Sequence, residues 1–453
     1  MRELERTGPR PPVRVVHLGL GNFFRAHQAW YTANAPDAAD WGIAGFTGRS
    51  PKLALDLAAQ DGLYTLVTRA EDGDRFDVLS SVVRTHPADD HEAWLRYLAD
   101  PEVRVVTLTV TEAGYVRGPD GGLDVDRAEV RADVDTLRKD PAALVRTTPG
   151  RLVAGLMARR EAGGGPVAVV SCDNLPENGQ VAGRVVRDLA AALDDDLARW
   201  VDDNVSFVTT MVDRITPRTT EEDTRSVAEA TGVHDRAPVV TEPFSEWVIS
   251  GSFPGGRPRW DEAGATITDE LQPYEERKLW LLNGSHSLLA YAGSARGHET
   301  VAEAIGDPLC ERWVQDWWDE ASRSLPQPED QVAAYRQALL ERFSNTRMRH
   351  LLAQIAADGS QKLPIRILPV LRRQRDGGQG FSGAARVLAA WVLHLRGAGA
   401  PVVDPQADTF TSLAKGELDD AVPKVLTALG GPDLAEEDVV QAVLVAAREL
   451  ERA

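Results

Sequence analysis

The order of apolar and polar positions divides the chain at about residue 270. Before that point, short β-branched runs alternate with stretches in which apolar residues recur every three or four positions. The run at 13–21 ends in glycines and leads into a periodic stretch at 22–30, which predicts a strand, a tight turn and a helix. Further strands are predicted at 41–47, 103–110, 166–171 and 205–212. Strands that alternate with helices favour an α/β fold with a mostly parallel, doubly wound sheet.

The second part of the chain has the pattern of helices. Apolar residues recur at spacings of three and four, and alternating β-branched runs are few. Helices are predicted at 274–292, 308–324, 331–343, 347–357, 384–397 and 439–451. We therefore predict an α/β domain at 1–270 and a mainly α-helical domain at 271–453. The Gly/Pro-rich segment 250–259 is predicted to connect the two, although a lid or active-site loop would have the same composition.

Composition narrows the classes of function. With 453 residues, of which 43% are hydrophobic, the chain is long enough for roughly two or three domains and a sizeable core. The net charge of -19 argues against a general affinity for nucleic acids or anionic membranes. No stretch resembles a signal peptide or a membrane span, and two cysteines allow at most one disulfide. We expect a cytoplasmic protein with reduced thiols that binds neither nucleic acid nor membrane.

Gly19 and Gly21 lie between the first predicted strand and helix. In this context backbone amides and the helix dipole can hold a pyrophosphate. The third glycine of the common dinucleotide fingerprint would fall at Phe24, so the motif is incomplete. A plain strand-to-helix turn that uses glycine for its φ range would have the same residues. The pattern alone leaves both interpretations open.

The choice between NAD and NADP depends on the end of the second predicted strand. A residue that binds the adenosine ribose is expected there, about 20 positions after the glycines. Residues 46–50 contain no acid but contain Arg49. An arginine at this place could accommodate a 2′-phosphate, or it could be a solvated charge. Both cofactors therefore remain open.

Lys278, Asn283 and His286 lie on one side of a predicted helix. At about 100° per residue they fall within an arc of roughly 140°, interleaved with leucines. Only six of the 50 Lys and Arg residues are lysines, so arginine is the usual surface cation. A lysine in this chain therefore favours a position that requires a titratable amine. A buried amine, amide and imidazole would be costly without partners, which suggests a polar pocket. A partly exposed helix with a solvated lysine and a capping asparagine would have the same spacing.

Polar residues also follow two predicted strands. Asn174 comes soon after the strand at 166–171, and Asp213 directly follows the strand at 205–212. Both are expected at the carboxyl edge of the sheet, where open α/β folds bind ligands. A local turn would explain Asn174, and a cap or an ion pair with Arg214 would explain Asp213. Their joint occurrence at strand ends favours a site.

Together these residues resemble the long-chain mannitol dehydrogenase family from about residue 13 to the C-terminus. The resemblance implies a Rossmann-like dinucleotide-binding domain, a helical substrate and catalytic domain, and an active site between them. It implies metal-independent, NAD- or NADP-dependent oxidation of a polyol to a ketose, of the mannitol-to-fructose type. The family also includes fructuronate (mannonate) reductases and mannitol-1-phosphate 5-dehydrogenases, so sugar acids and sugar phosphates stay open. The motifs that carry it are Gly19 to His27, Thr109 to Tyr115, Cys172 to Gly179, Val205 to Pro217 and Lys278 to His286.

The resemblance also implies roles for individual residues. Lys278 is the general base, which must be uncharged to accept the hydroxyl proton. Asn174 and Asn283 are donors to the developing oxyanion, and His286 contacts the substrate. The implied substrate-binding residues are Asp213 and Lys362. The implied cofactor-binding residues are Gly19, Gly21, Asn22, Phe23 and Arg25, and the end of the second predicted strand adds Arg49 as a candidate.

Three other interpretations compete with this one. Tyr274 and Lys278 have the spacing of the short-chain dehydrogenases, but they follow the predicted sheet instead of lying within it. Two cysteines and nine scattered histidines give no zinc-ligand spacing, so no metal is predicted. A non-catalytic nucleotide-binding sensor would keep the fold, but loss of the lysine base is its expected mark. The sequence predicts no oligomeric state.

Overall fold

The β-branched runs of the first half pair into an eight-stranded sheet in this computed structural model, which describes residues 2–453. The chain divides into two units, Met1–Leu271 and Gln272–Ala453, and the described strands belong to the first. These strands are β1 (Arg2–Glu3), β2 (Val13–Leu18), β3 (Gly42–Phe46), β4 (Tyr64–Ala70), β5 (Gly73–Leu79), β6 (Val82–His86), β7 (Val105–Leu108), β8 (Val167–Ser171), β9 (Val205–Asp213), β10 (Val233–His234), β11 (Val239–Thr241), β12 (Glu246–Ser250) and β13 (Thr266–Ile267).

The large sheet is doubly wound. Its order is β13-β12-β9-β8-β7-β2-β3-β6, with parallel pairing from β9 to β6 and antiparallel pairing between β12 and β9. Parallel neighbours need crossover connections, which here are mostly helical. The prediction of a mostly parallel, doubly wound α/β sheet is confirmed. The helices of this unit are α1 (Asn22–Ala26), α2 (Gln28–Asn34), α3 (Lys52–Ala58), α4 (His91–Ala99), α5 (Ala128–Lys139), α6 (Thr148–Ala162), α7 (Asn178–Leu193), α8 (Asp195–Asn204) and α9 (Glu221–Thr231), with 3₁₀ turns at Ala38–Asp40 and Glu112–Tyr115.

Two apolar cores cover the two faces of this sheet. Val16 and Val106 belong to one core, whereas their neighbours Val15 and Val105 belong to the other. Successive strand residues point to opposite faces, so a strand that is buried on both faces is a continuous apolar run. This explains why the sequence lacks a polar-apolar alternation at these strands.

A second, three-stranded sheet was not predicted. Its order is β11-β4-β5, and β4 and β5 form an antiparallel hairpin that turns at Gly73, whose φ is +145°. β5 is largely exposed and carries charged residues, so its apolar signal is weak. The pairing of β11 with β4 is also not predictable from local sequence, because β11 begins 169 residues after β4 ends.

The prediction for residues 250–259 was wrong. This segment leaves β12 within the first unit and returns the chain to β13, which pairs in parallel with β12. Phe253 and Trp260 contact each other, with ring centroids 6.0 Å apart, and Trp260 is buried in the core. The segment is therefore a packed loop between β12 and β13 of the first unit and not the connection between the units.

The second unit is helical, as predicted, but two of its predicted helices are altered. The helix predicted at 274–292 contains two π-helical stretches, Lys278–Asn283 and Leu289–Gly293. The helix predicted at 347–357 is confined to Leu352–Ala356.

Among the described residues, no helix is both long and apolar enough to span a membrane. The α-helices are α10 (Gln272–Arg277), α11 (Gly284–Leu288), α12 (Val301–Ile305), α13 (Pro308–Ser322), α14 (Glu329–Ser344), α15 (Leu352–Ala356), α16 (Gly359–Arg366), α17 (Leu368–Asp376), α18 (Ser382–Leu395), α19 (Ala407–Leu413), α20 (Leu418–Gly430) and α21 (Glu437–Leu450), with a 3₁₀ turn at Pro432–Ala435.

A buried carboxylate on α13 holds the start of α18. Glu320 is 3% exposed and accepts hydrogen bonds from the backbone N–H groups of Gly383 (2.7 Å) and Ala384 (3.0 Å). Burial raises the pKa of Glu320 from 4.5 to about 7, against the lowering effect of these two donors. The folded protein thus binds a proton at Glu320 more tightly than the unfolded chain does.

We expect this carboxyl group to make the helical unit less stable as the pH rises. Because the folded pKa exceeds the unfolded value, the protonated form stabilises the fold at low pH, and this contribution is lost between about pH 4.5 and 7. Glu320→Gln should reduce the fall in melting temperature between pH 5 and pH 8, whereas Glu311→Gln, on the exposed face of α13, should not. Thermal melts across this range provide the measurement, and an unchanged pH dependence in Glu320→Gln would contradict the assignment.

Candidate functional site

The sheet brings several predicted residues to one edge of the first unit. β2, β7, β8 and β9 are parallel, so Gly19, Thr109, Asn174 and Asp213 all lie at or just after their carboxyl ends. The strand order reverses between β2 and β7, because β3 and β6 lie on one side and β8 and β9 on the other. Ligands of open α/β sheets bind at such a reversal.

At the first glycine of the turn, Gly19, the backbone packs closely against Thr109. Gly19 has φ +111°, and a Cβ there would lie 2.1 Å from the carbonyl oxygen of Thr109, so only glycine fits. The N–H groups of Gly19 and Leu20 both donate to the carbonyl of Phe46 at 2.9 Å, so these two amides are used within the protein. At Gly21, by contrast, a Cβ would meet no atom closer than 3.5 Å. The open approach to the backbone is therefore at Gly21.

The helix that follows the turn is held by its own side chains. Arg25 is 2% exposed, and its guanidinium donates to the carbonyls of Gly21 and Ala237 and to Oδ1 of Asn22. Asn22 in turn donates through Nδ2 to the carbonyl of Pro217 at 3.3 Å. These bonds give Arg25 and Asn22 a structural role at the turn, and a contact of either with a cofactor stays a prediction.

The other two predicted cofactor residues are more accessible. Phe23 is partly exposed and stacks on the His27 ring, with centroids 5.0 Å apart. Arg49 is exposed in the loop after β3. The structure thus leaves the Arg49 side chain accessible at the strand end where an adenosine ribose is expected.

Asn174 is exposed on a loop that is fixed on both sides. It follows β8 by three positions and precedes α7 by four. Asn178, the first residue of α7, is fully buried and donates through Nδ2 to the carbonyls of Asp173 (2.9 Å) and Thr210 (2.7 Å). The two asparagines of this motif therefore differ, because Asn178 is buried and joins the loop to β9, whereas Asn174 is exposed.

Asp213 ends β9 and is 8% exposed, opposite Glu246 of β12. Its neighbour Arg214 is buried and donates to the carbonyls of Ala26 (2.5 Å) and Glu242 (3.2 Å). The guanidinium also lies 4.8 Å from the centroid of the Trp30 ring. Arg214 is thus a structural anchor for the strand end on which Asp213 lies.

In the second unit, Lys278 and Asn283 are the first and last residues of the π-helical stretch. In the α-helix predicted from the sequence, residues five apart point in different directions. In a π-helix the hydrogen bonds run from i to i+5, so Lys278 and Asn283 become neighbours on successive turns. Both side chains are partly exposed. Single π-helical turns occur frequently at functional sites.

Two tryptophans of α13 explain how this irregular turn is tolerated. The indole N–H groups of Trp317 and Trp318 donate to the carbonyls of Trp280 (2.8 Å) and Leu281 (3.0 Å). Carbonyls in an interrupted α-helical ladder need such outside donors when they are buried. A Cβ at Gly284 would lie 2.6 Å from Trp317, so this glycine allows the close packing.

His286 lies one turn further on and is almost completely buried. Its exposure is 7%, and its Nε2 has no hydrogen-bond partner among the residues that the structure describes. Burial is the main cause that lowers the pKa of His286 well below its ordinary value, followed by His350, Arg342, Arg366 and Lys362. The imidazole is therefore neutral at physiological pH and able to exchange a hydrogen bond with a ligand.

Several basic side chains surround this imidazole. His350 lies edge-on to it, with ring centroids 5.0 Å apart. Arg366 donates to the hydroxyl of Ser287 (3.2 Å) and to the carbonyl of Asn283 (3.4 Å), and burial lowers its pKa to about 10. Arg342 is 8% exposed. Such a concentration of positive charge in a partly dry environment attracts anions.

Lys362, the predicted substrate-binding residue, belongs to the same group. Its Nζ donates to the carbonyls of Ile355 (3.2 Å) and Ala357 (2.5 Å), and it lies 3.9 Å from a carboxylate oxygen of Asp358. Burial lowers its pKa, with a further contribution from Arg366. The lysine therefore stabilises the loop before α16 whether or not it also touches a substrate.

One cluster of metal-ligand type occurs in the described part of the chain. A nitrogen of His298, a carboxylate oxygen of Asp307 and the Cys310 sulfur lie within 4.8 Å of one another. However, Arg296 Nε lies 2.7 Å from the same Asp307 oxygen to which His298 Nε2 is 3.1 Å. A guanidinium at this distance neutralises the carboxylate, so the cluster is explained as an ion-pair network.

Several residues near the candidate site were not predicted from the sequence. Arg366 could have been found, because it lies four residues after Lys362 on a helix and so shares its face. Asp173 directly precedes Asn174 within the Cys172 to Gly179 motif, but the motif alone predicts no role for it. Arg342 and His350 come from distant segments, and no local pattern links them to His286.

Comparisons with known proteins agree with this fold. Residues 13–262 match the family model of the mannitol dehydrogenase Rossmann domain, and residues 270–451 match that of the mannitol dehydrogenase C-terminal domain. The D-mannonate oxidoreductase of Escherichia coli (strain K12) is 38% identical over 457 residues, which cover 96% of this chain and 93% of that protein.

Two solved structures are similar along nearly the whole chain. A D-sorbitol dehydrogenase in substrate-free form has a TM-score of 0.89 and 32% identity, and the match covers 98% of this chain and 93% of that one. Pseudomonas fluorescens mannitol 2-dehydrogenase, in a ternary complex with NAD and D-mannitol, has a TM-score of 0.79 and 34% identity, with 99% and 94% coverage.

Proposed function

Because this chain belongs to the mannitol dehydrogenase family, we propose that it is an NAD(P)-dependent oxidoreductase for a secondary alcohol of a polyol or sugar acid. The observation that carries the proposal is the placement of Lys278 and Asn283 on adjoining turns of one π-helical stretch, with the neutral His286 one turn beyond. The first unit is then the dinucleotide-binding domain, and the helical unit is the substrate and catalytic domain. A cytoplasmic location fits a soluble metabolite as substrate.

The residue types suit alcohol oxidation. Lys278, in its uncharged form, takes the proton of the substrate hydroxyl, and in the reverse direction it returns the proton to the ketone oxygen. Asn174 and Asn283 donate their carboxamide N–H groups to the oxygen as negative charge develops on it. His286 and Lys362 hold other substrate oxygens, and Asp213 accepts a substrate hydroxyl. These roles follow the family resemblance; Lys278, Asn174, Asn283 and Lys362 are exposed or partly exposed, whereas Asp213 and His286 are buried.

The glycine turn fits a dinucleotide. The space beside Gly21 would be filled by a Cβ in any other residue, and a phosphate can approach the backbone there. Gly19, Asn22 and Arg25 shape the turn, while Phe23 and Arg49 are accessible along it. A bound nicotinamide would supply the hydride acceptor. The relative solved with NAD favours NAD, and Arg49 keeps NADP as the alternative.

Within this function, the basic surroundings of His286 favour a sugar acid as substrate. Three cationic side chains, of Arg342, Arg366 and Lys362, lower the pKa of the imidazole, and each would attract a carboxylate more than a neutral hydroxyl. The similarity to a D-mannonate oxidoreductase points in the same direction. We therefore propose an aldonate and its keto acid as the preferred pair, with a neutral polyol and its ketose as the alternative.

A substrate panel tests the proposal. NAD⁺ and NADP⁺ are each combined with D-mannonate, mannitol, sorbitol, arabinitol and mannitol 1-phosphate, and the reduced cofactors are combined with the corresponding keto compounds. We expect reduced-nicotinamide absorbance to change with a sugar acid first and with polyols more slowly. Cofactor binding without turnover in any combination would contradict the proposal and favour a sensor.

The sugar-acid preference makes a specific prediction for Arg366→Gln. We expect this change to raise KM for D-mannonate by about tenfold or more, because a buried charge partner of the carboxylate is lost, while KM for mannitol stays within about threefold. Arg386→Gln, which breaks an ion pair with Asp316 (3.1 Å) on the helix surface, is the matched control. Equal effects on both substrates would assign Arg366 to positioning of the Asn283 backbone instead.

A further inference from the structure

One residue at the carboxyl edge of the sheet has a strained backbone. Thr111 lies three positions beyond β7 with φ 69° and ψ 161°. This region is essentially restricted to glycine, because a Cβ is crowded there. Val116, Glu177 and Asp358 also have positive φ, but their ψ values place them in the left-handed helical region, which other residues adopt more easily.

A buried carboxylate holds Thr111 in this conformation. Asp173 is 7% exposed, and its Oδ1 accepts the N–H of Thr111 at 2.7 Å. Its Oδ2 accepts the hydroxyl of Tyr115 at 2.6 Å, and that hydroxyl also lies 2.5 Å from Ser171 Oγ. Both carboxylate oxygens are thus engaged by residues 111–115, which follow β7, so Asp173 links this segment to the end of β8.

The backbone of Asp173 is fixed from the other side. Asn178 donates to the carbonyl of Asp173, and its Oδ1 accepts the N–H of Thr210 on β9 at 2.9 Å. Asp173 therefore joins the ends of three successive parallel strands. The next residue in the chain is Asn174, whose exposed side chain projects from this fixed point.

A purely structural role explains this arrangement poorly. A glycine at 111 would form the same loop without strain, and a neutral side chain at 173 would avoid the burial of a charge. Strained, over-determined backbone is concentrated at functional sites. The energetic cost of the strained Thr111 backbone and of the buried Asp173 carboxylate is explained if the Asn174 carboxamide must be held in a precise geometry.

We propose that Asp173 is a positioning residue that acts through Asn174. By clamping Thr111 and Tyr115 it fixes the loop so that the Asn174 carboxamide is held ready for the substrate oxygen. The inference rests on the proposed function, since it assigns Asn174 to the reacting oxygen. It predicts that the effect of Asp173 on turnover disappears when Asn174 is absent.

The test is a double-mutant cycle between Asp173→Ala and Asn174→Ala. It is carried out in the full chain in a Thr111→Gly background, in which the loop conformation is accessible without the carboxylate. We expect Asp173→Ala to lower kcat by about tenfold, with NADH affinity, measured by fluorescence, within about threefold. In the presence of Asn174→Ala it should lower kcat no further. Asp173→Asn should recover most of the loss, because its side-chain carbonyl oxygen can still accept the backbone N–H of residue 111.

Asp133→Ala is the matched control. Asp133 is 4% exposed in the same unit and, like Asp173, accepts both backbone N–H and hydroxyl groups, here the N–H of Arg146 and the N–H and hydroxyl of Thr147. It should lower the melting temperature without changing kcat per folded molecule. The proposal is overturned if Asp173→Ala behaves in the same way, if its effect adds to that of Asn174→Ala, or if NADH affinity falls in parallel with kcat. A wild-type protein without turnover would instead overturn the proposed function.

Discussion

Lys278→Ala is expected to lower the kcat of alcohol oxidation by about two to four orders of magnitude, the usual contribution of a positioned general base. The alcohol hydroxyl is too weak an acid to lose its proton without a nearby base. The affinity for the cofactor should stay within about threefold, because the proposed cofactor contacts come from the first unit and Lys278 from the second. Steady-state kinetics and cofactor fluorescence titration provide the two measurements.

Lys424→Ala is a suitable control for this variant. Lys424 is an exposed lysine of α20, and its removal changes the net charge by the same amount. It should leave both kcat and cofactor affinity unchanged. A loss of cofactor affinity in Lys278→Ala as large as its loss of turnover would mean that the roles are wrongly assigned.

Asn283→Ala is expected to slow turnover by about two to three orders of magnitude, as the removal of an oxyanion donor does elsewhere. Its carboxamide is proposed to donate to the oxygen more strongly in the transition state than in the bound substrate, so kcat should fall while KM changes little. Asn283→Asp keeps the shape of the side chain but has no N–H donor, and it should be equally slow.

The backbone of Asn283 offers an internal check. Its carbonyl accepts hydrogen bonds from Arg366 and Ser287, and these bonds do not depend on the side chain. The π-helical turn should therefore persist in both variants, which circular dichroism and thermal melts can verify. A change confined to KM would contradict the assignment of Asn283 to the oxyanion.

The sheet of the first unit was predictable because its strands are buried on both faces. Runs such as 103–110 and 166–171 are apolar without interruption, and each contains an observed strand, Val105–Leu108 and Val167–Ser171. The β4–β5 hairpin was missed because its outer strand is exposed and charged. Burial alone does not make a strand predictable, because β4, β11 and β12 are largely buried and were also missed.

In the helical unit, the sequence identifies the candidate residues but does not predict their geometry. The spacing of Lys278, Asn283 and His286 marks them as a group, yet the π-helical turn that aligns the first two is stabilised by Trp317 and Trp318 of another helix. Local sequence patterns do not predict such hydrogen bonds between helices.

The basic group near His286 was only partly visible for the same reason. Lys362 and Arg366 are neighbours on α16, but Arg342 and His350 approach from other segments. The strain at Thr111 is equally invisible in the sequence, because threonine has no tendency toward positive φ and only Asp173 explains its conformation.

Rescue of Lys278→Ala by added primary amines tests the central claim most directly. The side chain is removed, and methylamine or ethylamine is supplied at increasing concentration and at several pH values while the oxidation rate is followed. If an uncharged amine at this place takes the hydroxyl proton, the rate should rise in proportion to the concentration of the unprotonated amine. A Lys278→Ala variant that oxidises the substrate at the wild-type rate, or one whose lost rate no amine restores at any pH, would contradict the account.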